Sequence, residues 1–163
     1  MKKLTSLDGM IKTALLIALC FISVYVNIPI PSPSGGGLMH LGGVILFLAA
    51  IYLGPFQAGL VGGVGMGLFD LLSPYAIWFP CTLLTRFIMG YVSGKMIEKD
   101  KNLILSMSVG SIIMIIGYYI YGVILEENLI SPLYSVIGDS ISSIFTIVIV
   151  IAILPFTNKV FRK

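Results

Sequence analysis

The chemistry of this sequence is concentrated in five residues that lie in or beside strongly apolar segments: His40, Asp70, Arg86, Tyr118 and Asp139. Ionisable groups inside a membrane cost about 3 kcal/mol each on insertion scales and mark functional sites by default. An imidazole, a guanidinium, a phenol and two carboxyl groups supply donors and acceptors for a small polar ligand. The single histidine has no nucleophile beside it, so the set predicts binding rather than catalysis.

Motifs for catalysis, metal binding and nucleotide binding are missing from the sequence. It has no HExxH, no GxSxG and no metal-ligand spacing of cysteines, and Cys20 and Cys81 are interpreted as buried free thiols. The run GGVGMG at 62–67 lacks the strand, lysine and hydroxyl residue of a phosphate loop. We therefore expect no catalytic residue, no metal and no cofactor, and another subunit must supply energy for any uphill transport.

The segments that must position these residues are typical of a membrane protein. Hydrophobic residues make up 58% of the 163 residues and charged residues only 10%, whereas soluble domains carry about a quarter charged residues. Because a bilayer core of about 30 Å requires about 20 helical residues, the sequence predicts one all-α integral membrane domain, 1–163, with six transmembrane helices. Their predicted bounds are 10–28, 41–53, 56–72, 79–96, 103–125 and 132–155.

The positive charges predict the orientation of these spans. The loops at 27–40, 73–78 and 126–131 contain no lysine or arginine. The cations that flank the spans are Lys2, Lys3, Lys12, Lys95, Lys99, Lys101, Lys159, Arg162 and Lys163. Under the positive-inside rule, both termini are cytoplasmic. The net charge of +3 therefore reflects orientation, and no nucleic-acid partner is expected.

Three of the polar residues are predicted at a similar depth in the outer half of the membrane. With Pro80 and Pro132 as first helical residues, Arg86 and Asp139 lie about 9–10 Å below the outer ends of their spans. Tyr118 reaches about the same depth in the fifth span. The inner half has almost no ionisable group, whereas an ion conduit needs polar groups through the whole thickness. The asymmetry favours a pocket that opens to the outside.

Further residues share helix faces with this predicted pocket. They are Trp78 and Thr82 on the fourth span, Tyr121 on the fifth, and Ser135, Ser142 or Ser143, and Thr146 on the sixth. Other interpretations exist: the aromatic residues form an interfacial belt, Arg86 forms a structural ion pair with Asp70 or Asp139, or His40 is an exposed residue at a helix start. These alternatives do not explain why all the groups occupy one half of the membrane.

Small residues at four-residue spacing predict close approach between helices. They are Gly59, Gly63 and Gly67 on the third span, Gly90 and Gly94 on the fourth, and Ala14 and Ala18 on the first. For the two alanines, packing within the chain is a sufficient explanation.

Five stretches together form a family pattern: the AxxxA of Ala14 and Ala18, GGGLMHLGG at 35–43, YLGPFQAGLVGGVGMGLFDLL at 52–72, SPYAIWFPCTLLTRFIMGYVSGKM at 73–96, and SVIGDSISS at 135–143. With them the sequence resembles, over nearly the whole chain, the substrate-binding S components of energy-coupling factor (ECF) vitamin transporters. It is most similar to the branch linked to pyridoxine or hydroxymethylpyrimidine.

The resemblance implies a six-helix subunit of the prokaryotic plasma membrane that captures a vitamin from outside. A transmembrane coupling subunit and two cytoplasmic ATPases are the implied partners, with Ala14 and Ala18 in contact with the coupling subunit. The resemblance also implies that the S component topples in the lipid to release its ligand inward. The expected ligand-binding residues are His40, Trp78, Thr82, Arg86, Tyr118, Tyr121, Asp139 and Ser142.

The expected ligand is pyridoxine or a related pyridine or pyrimidine. Arg86 equally suits a carboxylate, so an acidic vitamin such as pantothenate is an alternative. An assembly subunit without a ligand is another, and a membrane-embedded enzyme is disfavoured. Asp139 and Ser142 or Ser143 stand where the branch has an asparagine and a glutamine. The carboxylate of Asp139 either pairs with Arg86 or receives a hydroxyl or N–H of the ligand.

The loop PIPSPSGGGLMH at 29–40 is predicted to close the pocket as a lid within the outer loop 27–40. Proline restricts the loop, the glycines at 35–37 act as a hinge, and Met39 or His40 closes on the ligand. Loops that gate sites often carry such flexible positions.

Overall fold

The computed structural model describes residues 6–29 and 38–161. Within them the chain forms six α-helices, a short 3-10 helix and one pair of strands. The elements are α1 (Leu7–Tyr25), β1 (Asn27–Pro29), β2 (Leu38–His40), α2 (Gly42–Tyr52), α3 (Pro55–Leu71), the 3-10 helix (Ala76–Trp78), α4 (Phe79–Glu98), α5 (Leu103–Glu126) and α6 (Leu133–Phe161). The prediction of a helical architecture is confirmed.

Four helical segments are long and apolar enough to cross a bilayer: Leu7–Tyr25, Ala76–Glu98, Leu103–Glu126 and Leu133–Thr157. The other two helices are shorter, since α2 has 11 residues and α3 has 17. These lengths correspond to about 16 and 26 Å, less than the hydrocarbon core of about 30 Å. Gly54 joins the two short helices with φ 115°, a conformation that residues with a side chain rarely adopt.

The ends of two helices differ from the predicted bounds. The first helix begins earlier, at Leu7, because the Ser6 side chain accepts a hydrogen bond from the Gly9 amide at 3.1 Å and caps it. It also ends earlier than the predicted residue 28, at Tyr25, because the chain then enters β1. The last helix continues through Pro155 instead of ending there. Beyond the proline, the Thr157 hydroxyl lies 2.8 Å from that of Tyr52 on α2, so a tertiary contact holds the extended end.

α2 is the innermost helix because it is apolar on every side. It packs against α1, α3, α4 and α6. Its residues Val44, Leu46, Phe47, Ala49 and Ala50 are all at most 3% exposed. Around it, large apolar side chains of the surrounding helices point outward, as expected where lipid is the solvent.

Glycines bring α3 and α4 into close antiparallel contact, as their spacing predicts. A Cβ at Gly63 would lie 2.7 Å from the Leu83 carbonyl oxygen, and one at Gly90 would lie 2.6 Å from the backbone of Ala58. Real Cβ atoms do not approach so closely, so only glycine permits this contact. The contact fixes the end of α3, with Asp70, beside the first turns of α4.

The start and end of the predicted lid form an antiparallel hairpin. Asn27 pairs with His40, Ile28 with Met39, and Pro29 with Leu38. The predicted hinge at 35–37 lies outside the described residues. We call the side of the bundle that carries β1–β2, the ends of α3 and α5 and the starts of α4 and α6 the hairpin end.

Candidate ligand-binding site

A cavity of about 90 Å³ lies at the hairpin end, among side chains from α1, β2 and α3–α6. Six of the eight predicted ligand-binding residues line it. They are His40, Trp78, Thr82, Arg86, Tyr118 and Asp139. The cavity therefore brings together residues that lie far apart in the sequence and that the helix depths placed at one level.

Arg86 supplies the positive charge of the cavity and is 9% exposed. Its Nε donates to the Tyr118 hydroxyl at 3.3 Å, and the guanidinium carbon lies 5.3 Å from the centre of the Tyr118 ring. One terminal nitrogen contacts the sulfur of Met89 at 3.8 Å, which is a weak acceptor. Because a guanidinium carries five N–H donors, most of them have no strong acceptor among the described residues.

Two hydroxyls stand between Arg86 and Asp70. The Tyr118 hydroxyl accepts from Arg86 Nε and lies 2.9 Å from the Thr82 hydroxyl. Thr82 and Asp70 both line the cavity. This hydroxyl relay, Arg86–Tyr118–Thr82, takes the place of a direct contact between the two charges.

The ion pair considered for Arg86 is absent from the part of the chain that the structure describes. The ion pairs found there are Lys12–Asp8 and Lys95–Glu98, both on the surface. Asp139 lines the cavity, yet within residues 6–29 and 38–161 its carboxyl group has neither an ion pair nor a hydrogen bond. The Asp139 carboxyl group is thus free to accept donors from a ligand.

His40 is buried at 9% exposure, so the interpretation of an exposed histidine at a helix start is wrong. Its Nδ1 accepts a hydrogen bond from the Gly42 amide at 3.1 Å, which caps α2. Burial, and to a smaller extent the positive charge of Arg86, lowers the pKa of His40 to about 3. The imidazole is therefore neutral near pH 7, with its proton on Nε2, where it acts as a donor.

Trp78 forms an aromatic wall with two tyrosines. Its ring centre lies 6.1 Å from that of Tyr118 and 5.6 Å from that of Tyr121. Trp78 and Tyr118 line the cavity, but Tyr121 does not. The Tyr121 hydroxyl donates to the Ile77 carbonyl at 2.8 Å, which turns the side chain toward the 3-10 helix and supports Trp78 from outside the site.

Ser142 is the second predicted residue that lies outside the cavity lining. The polar stripe of α6 reaches the cavity only at Ser135 and Asp139. Deeper in the bundle the stripe serves helix packing, because a Cβ at Gly43 of α2 would lie 3.1 Å from the Thr146 side chain. Periodicity predicted the stripe but not where the cavity ends along it.

Sequence reasoning left several lining residues out of the predicted ligand-binding set. They are Val24, Leu38, Met66, Asp70, Tyr75, Glu126 and Ser135. The apolar ones carry no chemical signal in a sequence that is apolar throughout. Glu126 falls in the predicted loop 126–131, whereas it is the last residue of α5. Its charge, in a predicted outer loop without cations, is the signal that the sequence offers.

Ala14 and Ala18 lie on the exposed face of α1. Leu15 and Leu19 beside them are 64% and 49% exposed. No described part of the chain covers this face, so packing within these residues does not account for the AxxxA pattern.

Comparison with known proteins identifies the family. The model of the family described as "ECF-type riboflavin transporter, S component" matches residues 5–159. The chain belongs to this family. As an ECF S component it is an integral, multi-pass membrane protein that binds a small vitamin, and it is a transporter subunit rather than an enzyme. ECF S components work with a membrane coupling subunit and ATPases.

The S component is also similar to a protein of Pyrococcus woesei described as "Uncharacterized protein in gap 3'region". The two sequences are 28% identical over 132 residues, which cover 78% of this chain and 87% of that protein.

Proposed function

We propose that this S component captures a single-ring pyridine or pyrimidine vitamin, pyridoxine first, in the cavity at the hairpin end. The observation that carries the proposal is that Arg86 and Asp139 line one cavity without pairing. A strong donor and a strong acceptor are thus both available to a ligand. Pyridoxine offers hydroxyl groups and a ring nitrogen to match them, and the wall of Trp78 and Tyr118 suits the face of its ring.

The size of the cavity supports a small ligand. An engineered apolar cavity of about 150 Å³ holds benzene, so the cavity of about 90 Å³ needs side-chain adjustment to hold even one substituted ring. Three fused rings need much more. Riboflavin is the second candidate because the description of the family names it.

The membrane arrangement is part of the same proposal. Six spans with both termini cytoplasmic put the hairpin end outside, because Lys95, Lys99 and Lys101 all lie at the opposite end of the bundle. The β1–β2 hairpin then forms part of a lid over the cavity, which Leu38 and His40 line. The exposed pair Ala14 and Ala18 is the proposed contact with the coupling subunit, and two ATPases energise uptake.

The test is calorimetric titration of the detergent-purified protein, freed of co-purified ligand, with pyridoxine, riboflavin and pantothenate. Trp78 is the only tryptophan, so its fluorescence gives a second readout at the site. We expect one-site, submicromolar binding of pyridoxine that changes this fluorescence. Arg86→Met should abolish it, and Lys99→Met, far from the cavity, should not.

Other outcomes overturn parts of the proposal in different ways. Tight binding of riboflavin without pyridoxine would replace the substrate and keep the site. Tight binding of pantothenate would reassign Arg86 to a carboxylate. If the folded protein binds none of the three vitamins, the polar residues of the cavity have a purely structural role.

A further inference from the structure

We infer that this cavity selects its ligand by charge: it accepts ligands that carry an amine or a hydroxymethyl group and rejects those that carry a carboxylate at the same position, with Asp139 and Glu126 as the discriminating residues. This inference rests on the proposed function and concerns which chemical form of the vitamin is captured.

The charges of the described lining favour this selection. Asp70, Glu126 and Asp139 contribute three carboxyl groups, and Arg86 contributes the one guanidinium, a formal charge of −2 when His40 is neutral. A cavity with this balance favours neutral and cationic ligands. Considered from the sequence, Arg86 suits a carboxylate ligand equally well, which left an acidic vitamin as the alternative.

These charges are not equally compensated within the protein. Arg86 on α4 and Asp70 on α3 carry opposite charges on one side of the cavity, with the hydroxyls of Tyr118 and Thr82 between them, so these two charges offset each other. Asp139 and Glu126 are left without a hydrogen bond or ion pair among the described residues. The uncompensated charge of the cavity is therefore negative and lies on the α5–α6 side.

The position of Glu126 at the end of a helix increases its preference for a neighbouring cation. It is the last residue of α5, where the helix dipole disfavours a negative charge and favours a positive one. No lysine or arginine occurs between Lys101 and Lys159 to compensate it. Since Glu126 lines the cavity, a cationic group on a bound ligand supplies the missing charge.

Three compounds that share one ring test the inference directly: pyridoxine, pyridoxamine and 4-pyridoxic acid. They carry a hydroxymethyl, an aminomethyl and a carboxylate group at the same ring position. We expect calorimetry to give pyridoxamine an affinity at least equal to that of pyridoxine. The acid should bind about 100-fold more weakly or worse, because like charges in close contact are strongly disfavoured.

Substitutions test which carboxyl groups produce the selection against 4-pyridoxic acid. Glu126→Gln and Asp139→Asn should each reduce the difference in affinity between pyridoxamine and 4-pyridoxic acid by about 10-fold. We call this difference the affinity gap. Glu127→Gln is the matched control, because Glu127 is adjacent, exposed and absent from the lining, and it should leave the affinity gap unchanged. Glu126 lies at a helix end, so its variant tests the inference even if Asp139→Asn fails to fold.

Two results would overturn the inference, and they are distinguishable. Equal binding of pyridoxine and the acid, or an affinity gap that both carboxyl variants leave intact, would remove charge selection and keep the proposed function. No binding of any of the three compounds to the folded protein would remove the proposed function and this inference with it.

Discussion

Replacing Tyr118 with phenylalanine removes one oxygen atom from the centre of the hydroxyl relay and leaves the ring in place. The lost hydroxyl accepts from Arg86 Nε at 3.3 Å and lies 2.9 Å from the Thr82 hydroxyl. The contact of the guanidinium with the ring, 5.3 Å from its centre, survives in phenylalanine. The substitution therefore isolates the hydrogen bonds from the cation–π contact and from packing.

The expected loss of stability follows from these two bonds. Interhelical hydrogen bonds in membranes contribute about 0.6 kcal/mol on average and at most about 1.7 kcal/mol, while a buried group left unsatisfied costs about 1–3 kcal/mol. The hydrogen bond from Arg86 is long, and the guanidinium borders the cavity. The loss of this one bond should therefore cost close to the average of about 0.6 kcal/mol. We expect Tyr118→Phe to lower the free energy of unfolding by about 1–3 kcal/mol.

Two buried thiols provide the assay. Cys20 is 0% and Cys81 6% exposed, and neither forms a disulfide, so a thiol-reactive dye reports their exposure as the protein unfolds on heating. A chain of this length loses about 2–4 °C in Tm per kcal/mol, which gives a decrease of roughly 2–12 °C.

Tyr119→Phe is the matched control on the same helix. The Tyr119 hydroxyl donates to the Leu129 carbonyl at 3.1 Å in an exposed position, and its loss should change stability by less than about 0.5 kcal/mol. Equal Tm values for Tyr118→Phe and the unsubstituted protein, or a larger decrease for Tyr119→Phe, would refute the relay.

Three further predictions test the packing and the site. Gly90→Ala places a Cβ 2.6 Å from the α3 backbone, so it should lower the free energy of unfolding by about 1–3 kcal/mol. Gly67→Ala places a Cβ 3.3 Å from a side chain and should cost less. Equal Tm values for the two variants in the thiol assay would contradict this prediction. His40→Asn keeps an acceptor for the first α2 amide but loses the Nε2 donor, so calorimetry should show pyridoxine binding weakened by about 3- to 10-fold with stability retained; unchanged affinity would exclude a ligand contact. Arg86→Lys keeps the positive charge but loses the planar guanidinium with its five donors, and should weaken pyridoxine binding by about 10- to 100-fold. Unaltered affinity would mean that the charge alone suffices.

Depth along a helix could be predicted from the sequence. Every residue of a helix rises by about 1.5 Å, so counting from Pro80 and Pro132 placed Arg86 and Asp139, and counting back from the end of the fifth span placed Tyr118, at one level. The three line one cavity. The α3–α4 contact was likewise predictable, since a run of small residues admits only a close neighbour.

The direction of a side chain and the partner of a charge were not predictable. Tyr121 lies one turn from Tyr118, but a hydrogen bond to a backbone carbonyl, invisible in the sequence, draws it out of the cavity. Glu126 lies at a helix end that the apolar pattern does not mark. The sequence offered Asp70 and Asp139 equally as partners for Arg86, and only the packed helices place two hydroxyls between Arg86 and one of them.

That indirect connection explains how a buried arginine is retained for a ligand. A direct ion pair with Asp70 would use the donors of Arg86, and a ligand would have to break the pair at the cost of leaving a carboxylate unpaired in a dry site. The relay instead holds Arg86 by its Nε, which donates to Tyr118 at 3.3 Å, while one terminal nitrogen makes only the weak contact with the Met89 sulfur at 3.8 Å. The remaining terminal N–H donors are thus available to a ligand in the cavity. The Tyr118 hydroxyl thus fixes the direction of the guanidinium as well as its charge balance. Tyr118→Phe should therefore weaken ligand binding even where the ligand never touches the lost oxygen.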